Sequence, residues 1–218
     1  RSIDFAAQVK ATVLVCHLGS VRFFWMNPGK KLRAYETLHP KAKLPEDEKY
    51  QKVLKKGIER MRRKMGPFWA RTKASVNEVL DYAKQKGVRL GFENREKFEE
   101  LPVDEDFPAF LNELPAEASA GYWHDTGHAD IKEKMGMINH RLQLDLMKTR
   151  TIGFHLHDVS EEGDDHQPIG TGRIDFKMVR EFWRPEHVLV LELSPRVPVE
   201  GVRASKERIE ALLAGSAG

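Results

Sequence analysis

"TIGFHLHD", residues 151–158, decides how the rest of the chain is read. The run is short and apolar, the pattern of a buried strand. Side chains alternate faces along a strand. Gly153, His155 and His157 therefore share one face, while Phe154 and Leu156 share the other. The bulky pair suits packing against helices. The histidines then point the opposite way, into an interior.

The same grammar recurs on either side. "ATVLVCH" (11–17), "VRLGFEN" (88–94), "ASAGYWHD" (118–125) and "HVLVLEL" (187–193) read as four more apolar strands. Helical patterns separate them: the end of a helix at 3–10, then 46–65, 68–86, 105–113, 129–136, 138–148, 175–183 and 203–214. Gly66-Pro67 is expected to break the second of these from the third. Residues 18–45 show no clean period and carry Pro28-Gly29, so they read as a long loop. Strands alternating with helices predict parallel βα units. Each strand also ends in a residue that binds metals or moves protons: His17, Glu93, Asp125 with His128 after it, His155 with His157, and Glu192. In a (β/α)8 barrel such strand ends form the active-site mouth.

Composition sets outer bounds. With 218 residues, 40% hydrophobic and 32% charged, the chain suits a single domain over 1–218. A net charge of +3 is weak support for an anionic partner. One cysteine, Cys16, excludes a disulfide framework and fits a reducing compartment, so a cytoplasmic location is expected. No apolar run approaches the roughly 20 residues of a membrane helix. The first residue is Arg1, not Met, so the natural N-terminus is expected to lie upstream.

A carboxylate at a strand end is ordinarily a solvated cap, and a lone histidine a structural one. Several together in an interior are costly unless paired or bound to a metal. Imidazole with carboxylate suits Zn, Mn, Fe or Co. Asp164 and His166 lie on the loop after 151–158, where "PIGTG" gives turns at Gly170 and Gly172. They serve a second metal, hold substrate, or belong to an Asx-type loop. "RFFWMNPGKKLR" (22–33) and "RMRRK" (60–64) combine aromatics and bases, as a grip on DNA would. Their plainer reading is a lid and a solvated helix face.

"VCHLGS", "GFEN", "WHDTGHA", "FHLHD", "DHQPIGTGRIDF" and "LVLELS", within residues 12–193, together resemble the xylose isomerase-like barrel superfamily. This group holds sugar phosphate isomerases and epimerases and the family 2 AP endonucleases. The resemblance implies a (β/α)8 TIM-barrel fold. Five of eight βα units are counted here, so an N-terminally truncated barrel is expected, with an open edge at 11–17. It also implies that Glu93, Asp125, His155 and Glu192 hold one divalent ion, Mn, Mg, Co or Zn, and that His128 contacts substrate. In the endonuclease branch His17, His128, Asp164 and His166 would help hold two to three Zn. That branch also uses an earlier histidine, which this chain lacks.

"REK" after Glu93-Asn94, and "HLHD" where the endonucleases have "HLND", favour the isomerase/epimerase branch. The expected chemistry is proton transfer by Glu93 and Glu192 through an enediolate of a sugar, sugar phosphate or keto-polyol. The alternatives are a zinc AP endonuclease, a lyase, and a non-catalytic metal- and sugar-binding relative. Trp123, His157 and Arg173 are expected to line the pocket, though Arg173 equally suits a salt bridge to a loop acid. Nucleic acid is the less favoured partner. The sequence leaves oligomeric state open.

Overall fold

A computed structural model describes residues 1–115 and 118–215. Its centre is one sheet of five parallel strands in sequence order: β1 (Val13–Cys16), β2 (Arg89–Glu93), β3 (Ala120–Asp125), β4 (Thr151–Leu156) and β5 (Val188–Leu191). Parallel neighbours need crossovers, and helices supply them. The result is a curled half-barrel, the five-strand architecture expected from the sequence. Among the described residues β1 pairs only with β2, and β5 only with β4. The sheet is thus open at β5 as well as at β1, where an open edge was expected.

The faces divide as strand parity requires. Leu90, Phe92 and Tyr122 turn outward onto Val76, Leu80 and Ala83 of α3 (Glu48–Gln85) and Phe107, Phe110 and Leu111 of α4 (Phe107–Glu113). Phe154 and Leu156 turn outward onto Val179 of α7 (Phe176–Arg180) and Ile209 of α8 (Val199–Ala214). Each such side chain contributes roughly 1.5–3 kcal/mol on burial. The ligand-type residues occupy the other face.

Two sequence expectations fail. Residues 18–45 are not one loop, because α2 (Pro28–Leu38) lies within them. Asn27 caps it by accepting from the Lys30 N–H, and Pro28 sits in the first turn, where a missing N–H costs nothing. Nor does Gly66-Pro67 break the next helix, since α3 runs unbroken from Glu48 to Gln85. An internal proline costs about 3 kcal/mol. Apolar anchoring on both sides outweighs it: Tyr50, Leu54, Met61 and Met65 pack with Leu32 of α2, and Val76, Leu80 and Ala83 pack on the sheet.

Candidate metal centre

Four side chains converge at the C-terminal ends of the strands. Glu93 is the last residue of β2, Asp125 the last of β3, His155 lies in β4, and Glu192 follows β5. One donor atom from each lies within 4.8 Å of the others. His155 Nδ1 stands 2.5 Å from Glu93 Oε1, 2.9 Å from Glu192 Oε2 and 3.8 Å from Asp125 Oδ2. Three carboxylates around one nitrogen demand positive charge. Burial opposes an imidazolium, but the Glu192 and Glu93 carboxylates prevail and push the His155 pKa up to about 9. Hydrogen bonding to His155 in turn lowers the Glu192 pKa. A divalent cation meets the same demand, and three oxygens with one nitrogen are a donor set that fits it.

Asp125 is held from several sides. It caps α5 (Thr126–Lys134), its Oδ1 accepting from the His128 N–H at 2.8 Å. His157 Nε2 lies 3.0 and 3.1 Å from its two oxygens. Burial opposes ionisation, yet the hydrogen bonds from the His157 ring and the His128 N–H hold this carboxyl well below its usual range. His128 is buried, and its Nδ1 bonds the Asn94 carbonyl at 3.0 Å.

Around this centre lie the other sequence candidates. His17 follows β1, exposed at the rim, with Nε2 2.8 Å from Glu93 Oε2. His166 stacks on His157, centroids 4.2 Å apart, and its Nδ1 faces Asp165 at 3.0 Å. His157, His166 and Glu192 form a second group with donor atoms in ligand range. Asp164 is exposed and stands in neither group among the described residues. Trp123 lies buried against His155, its indole N–H without a protein acceptor. Arg173 takes the salt-bridge alternative: it donates to Asp130 Oδ2 at 2.9 Å and to the Ser160 carbonyl at 2.7 Å.

Sequence reasoning gave no role to three residues at the site. Asn94 clamps the Asp125 backbone. Arg95 donates to Glu93 Oε2 at 2.7 Å. Asp158 is buried and gathers loop N–H groups. Asn94 and Asp158 directly follow strand-end residues already singled out, the one signal available for them.

The fold and this centre define a βα half-barrel with carboxylates and imidazole at its strand ends. The sequence matches the xylose isomerase-like TIM barrel model over residues 1–212, and the chain belongs to that family. Among solved structures it is similar to a D-tagatose 3-epimerase-like protein: 19% identity, TM-score 0.65, covering 98% of this chain and 66% of that one. It is also similar to a xylose isomerase domain protein from Planctomyces limnophilus, at 13% identity and TM-score 0.56, covering 96% of this chain and 61% of that one. A third is a D-allulose 3-epimerase from Methylomonas sp., at 16% identity and TM-score 0.54, covering 89% and 54%. The chain thus spans 54–66% of these three structures, and at such identities the likeness is one of fold. Comparison with curated proteins gives no match.

Proposed function

We propose that residues 1–218 are one domain carrying the catalytic mouth of a divalent-metal-dependent sugar isomerase or epimerase. The observation that carries this reading is the convergence of Glu93, Asp125, His155 and Glu192 within 4.8 Å at neighbouring strand ends. These four would hold the ion, with Mn, Mg, Co and Zn all suited to the set. A bound ion supplies Lewis-acid polarisation of a substrate carbonyl.

The protein's own groups would do the rest. Glu93 and Glu192 come from β2 and β5, with two strands between them. One takes a proton from the carbon beside the carbonyl, and the other returns one. Two carboxylates on separate strands suit epimerisation, where the proton leaves one face and arrives at the other. Trp123 packs in a T-shape against His155 and would serve as an apolar wall behind it. That similar folds include a D-tagatose 3-epimerase-like protein and a D-allulose 3-epimerase supports a sugar substrate. The zinc-endonuclease reading has less support, because Asp164 is exposed and stands in neither donor group among the described residues.

Elemental analysis of chelator-free protein tests this, beside Glu93→Gln and His166→Ala. The expected result is one ion per chain, lost in Glu93→Gln and kept in His166→Ala, with ketose proton exchange in D2O following the metal. Two or three zinc ions, one of them lost in His166→Ala, would overturn it in favour of phosphodiester hydrolysis.

A further inference from the structure

His157 looks at first like one more ligand, yet its surroundings leave it no free nitrogen. It is fully buried. Its Nε2 faces both oxygens of Asp125, at 3.0 and 3.1 Å. The His166 backbone N–H donates to its Nδ1 at 2.9 Å. A nitrogen that accepts an N–H carries a lone pair, so the proton of the neutral ring belongs on Nε2. The Asp158 carbonyl also lies near Nδ1, but at 3.4 Å, and the shorter contact from the His166 N–H governs that nitrogen. A second proton on Nδ1 would meet the His166 N–H head on. The hydrogen-bond geometry therefore decides for the Nε2–H tautomer.

The surroundings are built to this ring. Thr126 Oγ1 accepts from the His157 N–H at 3.2 Å and donates to its carbonyl at 2.8 Å. A Cβ on Gly127 would fall 2.0 Å from His157 Cε1, so only glycine lets α5 start this close. His166 adopts φ of 54°, unusual for a side-chain-bearing residue, and in that conformation presents its N–H to the ring. Its carbonyl accepts from the Ser194 N–H at 2.9 Å, two residues past Glu192. One backbone unit thus ties the ring beside Asp125 to the segment that bears Glu192.

We propose that His157 is a positioning residue: its Nε2–H orients the Asp125 carboxylate, and its Nδ1 couples that orientation to docking of the 158–174 loop. The inference rests on the metal reading above and concerns a residue outside the four ligands. Partners that orient a ligand in this way typically set about 10–100-fold in metal affinity.

The experiment has two arms. In the first, 15N NMR of ring-labelled, metal-free protein reads the tautomer directly. The expected result at neutral pH is a protonated Nε2 and a bare Nδ1. A proton on Nδ1, or on both nitrogens, would overturn the proposal with no variant needed. In the second, Mn2+ affinity is titrated in wild type, His157→Leu, His157→Gln and His157→Asn. The glutamine amide reaches the Nε2 position and the asparagine amide the Nδ1 position. Leucine should weaken Mn2+ binding about tenfold or more, with glutamine restoring most of it and asparagine little. Equal loss in all three would mean a packing role only and overturn the proposal. Should wild type and Glu93→Gln both take up no Mn2+, the metal reading fails. The tautomer then still judges the link from loop to Asp125.

Discussion

The Asn94 side chain pairs with the Asp125 backbone in both directions. Its Oδ1 accepts the Asp125 N–H at 2.7 Å, and its Nδ2 donates to the Asp125 carbonyl at 3.0 Å. Both residues are buried, one just past β2 and the other closing β3. The amide works as an extra rung where the ladder between the two strands ends. It fixes the distance from Glu93 to Asp125, two of the four proposed ligands.

Asn94→Ala should therefore cost more than a surface change. It leaves the buried Asp125 N–H unpaired, worth about 1–3 kcal/mol, while the Asp125 carbonyl keeps its bond to the first turn of α5. The urea midpoint should fall and Mn2+ binding should weaken with it. Unchanged values for both would mean that the backbone alone holds the two strand ends in place.

Gly127→Ala tests the close approach of α5 to His157. The new methyl would lie 2.0 Å from Cε1 of a ring whose face is already covered by the His166 ring. Overpacking of this kind costs typically 1–3 kcal/mol. Thermal unfolding should drop by several degrees, and in the variant the His157 ring 15N shifts should move. A variant as stable as wild type with unmoved shifts would show that the ring has room to yield.

Much of this was readable in the sequence, for reasons that are particular. Strand parity in "GFHLH" and "LGFE" separates outward Phe and Leu from inward His and Glu, and burial follows it. Alternation repeated at successive strands points to a barrel-type fold with one shared donor group, and the resemblance supplies the choice of Glu93, Asp125, His155 and Glu192 within it. The parts that failed turn on competition. Pro28-Gly29 has the signature of loop punctuation, yet Asn27 before it is a good N-cap and Pro28 suits the first turn. Pro67 has the sequence signature of a stop, and the apolar anchoring that outweighs it lies far off in sequence. His157 has the parity of a ligand, and only the fold reveals that both its nitrogens are taken.

Acid should weaken the fold through a different pair. His124 Nε2 and His140 Nε2 lie 2.9 Å apart, both buried. Burial pushes His140 down to about 4, and burial together with its neighbour holds His124 well below its ordinary value. Unfolded histidines titrate near 6.5. Between about 6.5 and 4 the unfolded chain binds more protons than the folded one, so stability falls as pH falls through that window. His140 alone would account for about 3 kcal/mol at the lower end. His155 has the opposite sign and acts elsewhere, its contribution fading as pH rises from about 6.5 to about 9. In chelator, the melting temperature of wild type should decline from pH 6.5 to 4. The double variant His124→Leu/His140→Leu should decline less steeply, and an identical slope would remove this pair as the cause.

Asp158 makes the last case, because one carboxylate organises the whole loop after β4. Its Oδ2 accepts the N–H groups of Gly170 and Gly172 at 2.8 and 2.9 Å, and its Oδ1 those of Val159 and Ile174 at 2.9 and 3.1 Å. Gly172 comes so close that a Cβ there would sit 2.1 Å from the Val159 carbonyl. Charge-assisted bonds to backbone N–H groups are about twice as strong as neutral ones. This cage therefore holds both ends of the segment that carries His166, and through it the contact to His157. Asp158→Asn keeps the size but turns part of the acceptor into a donor that faces N–H groups. Amide exchange at Gly170, Gly172 and Ile174 should rise at least tenfold in that variant, while amides in β2 stay protected. In the same variant His157 should keep its proton on Nε2, facing Asp125, while Nδ1 is freed to take up a second proton, since His166 would no longer be held against it. Faster exchange with Nδ1 still bare would place the tie to Asp125 in β4 and α5 alone, and would separate the loop from the metal centre.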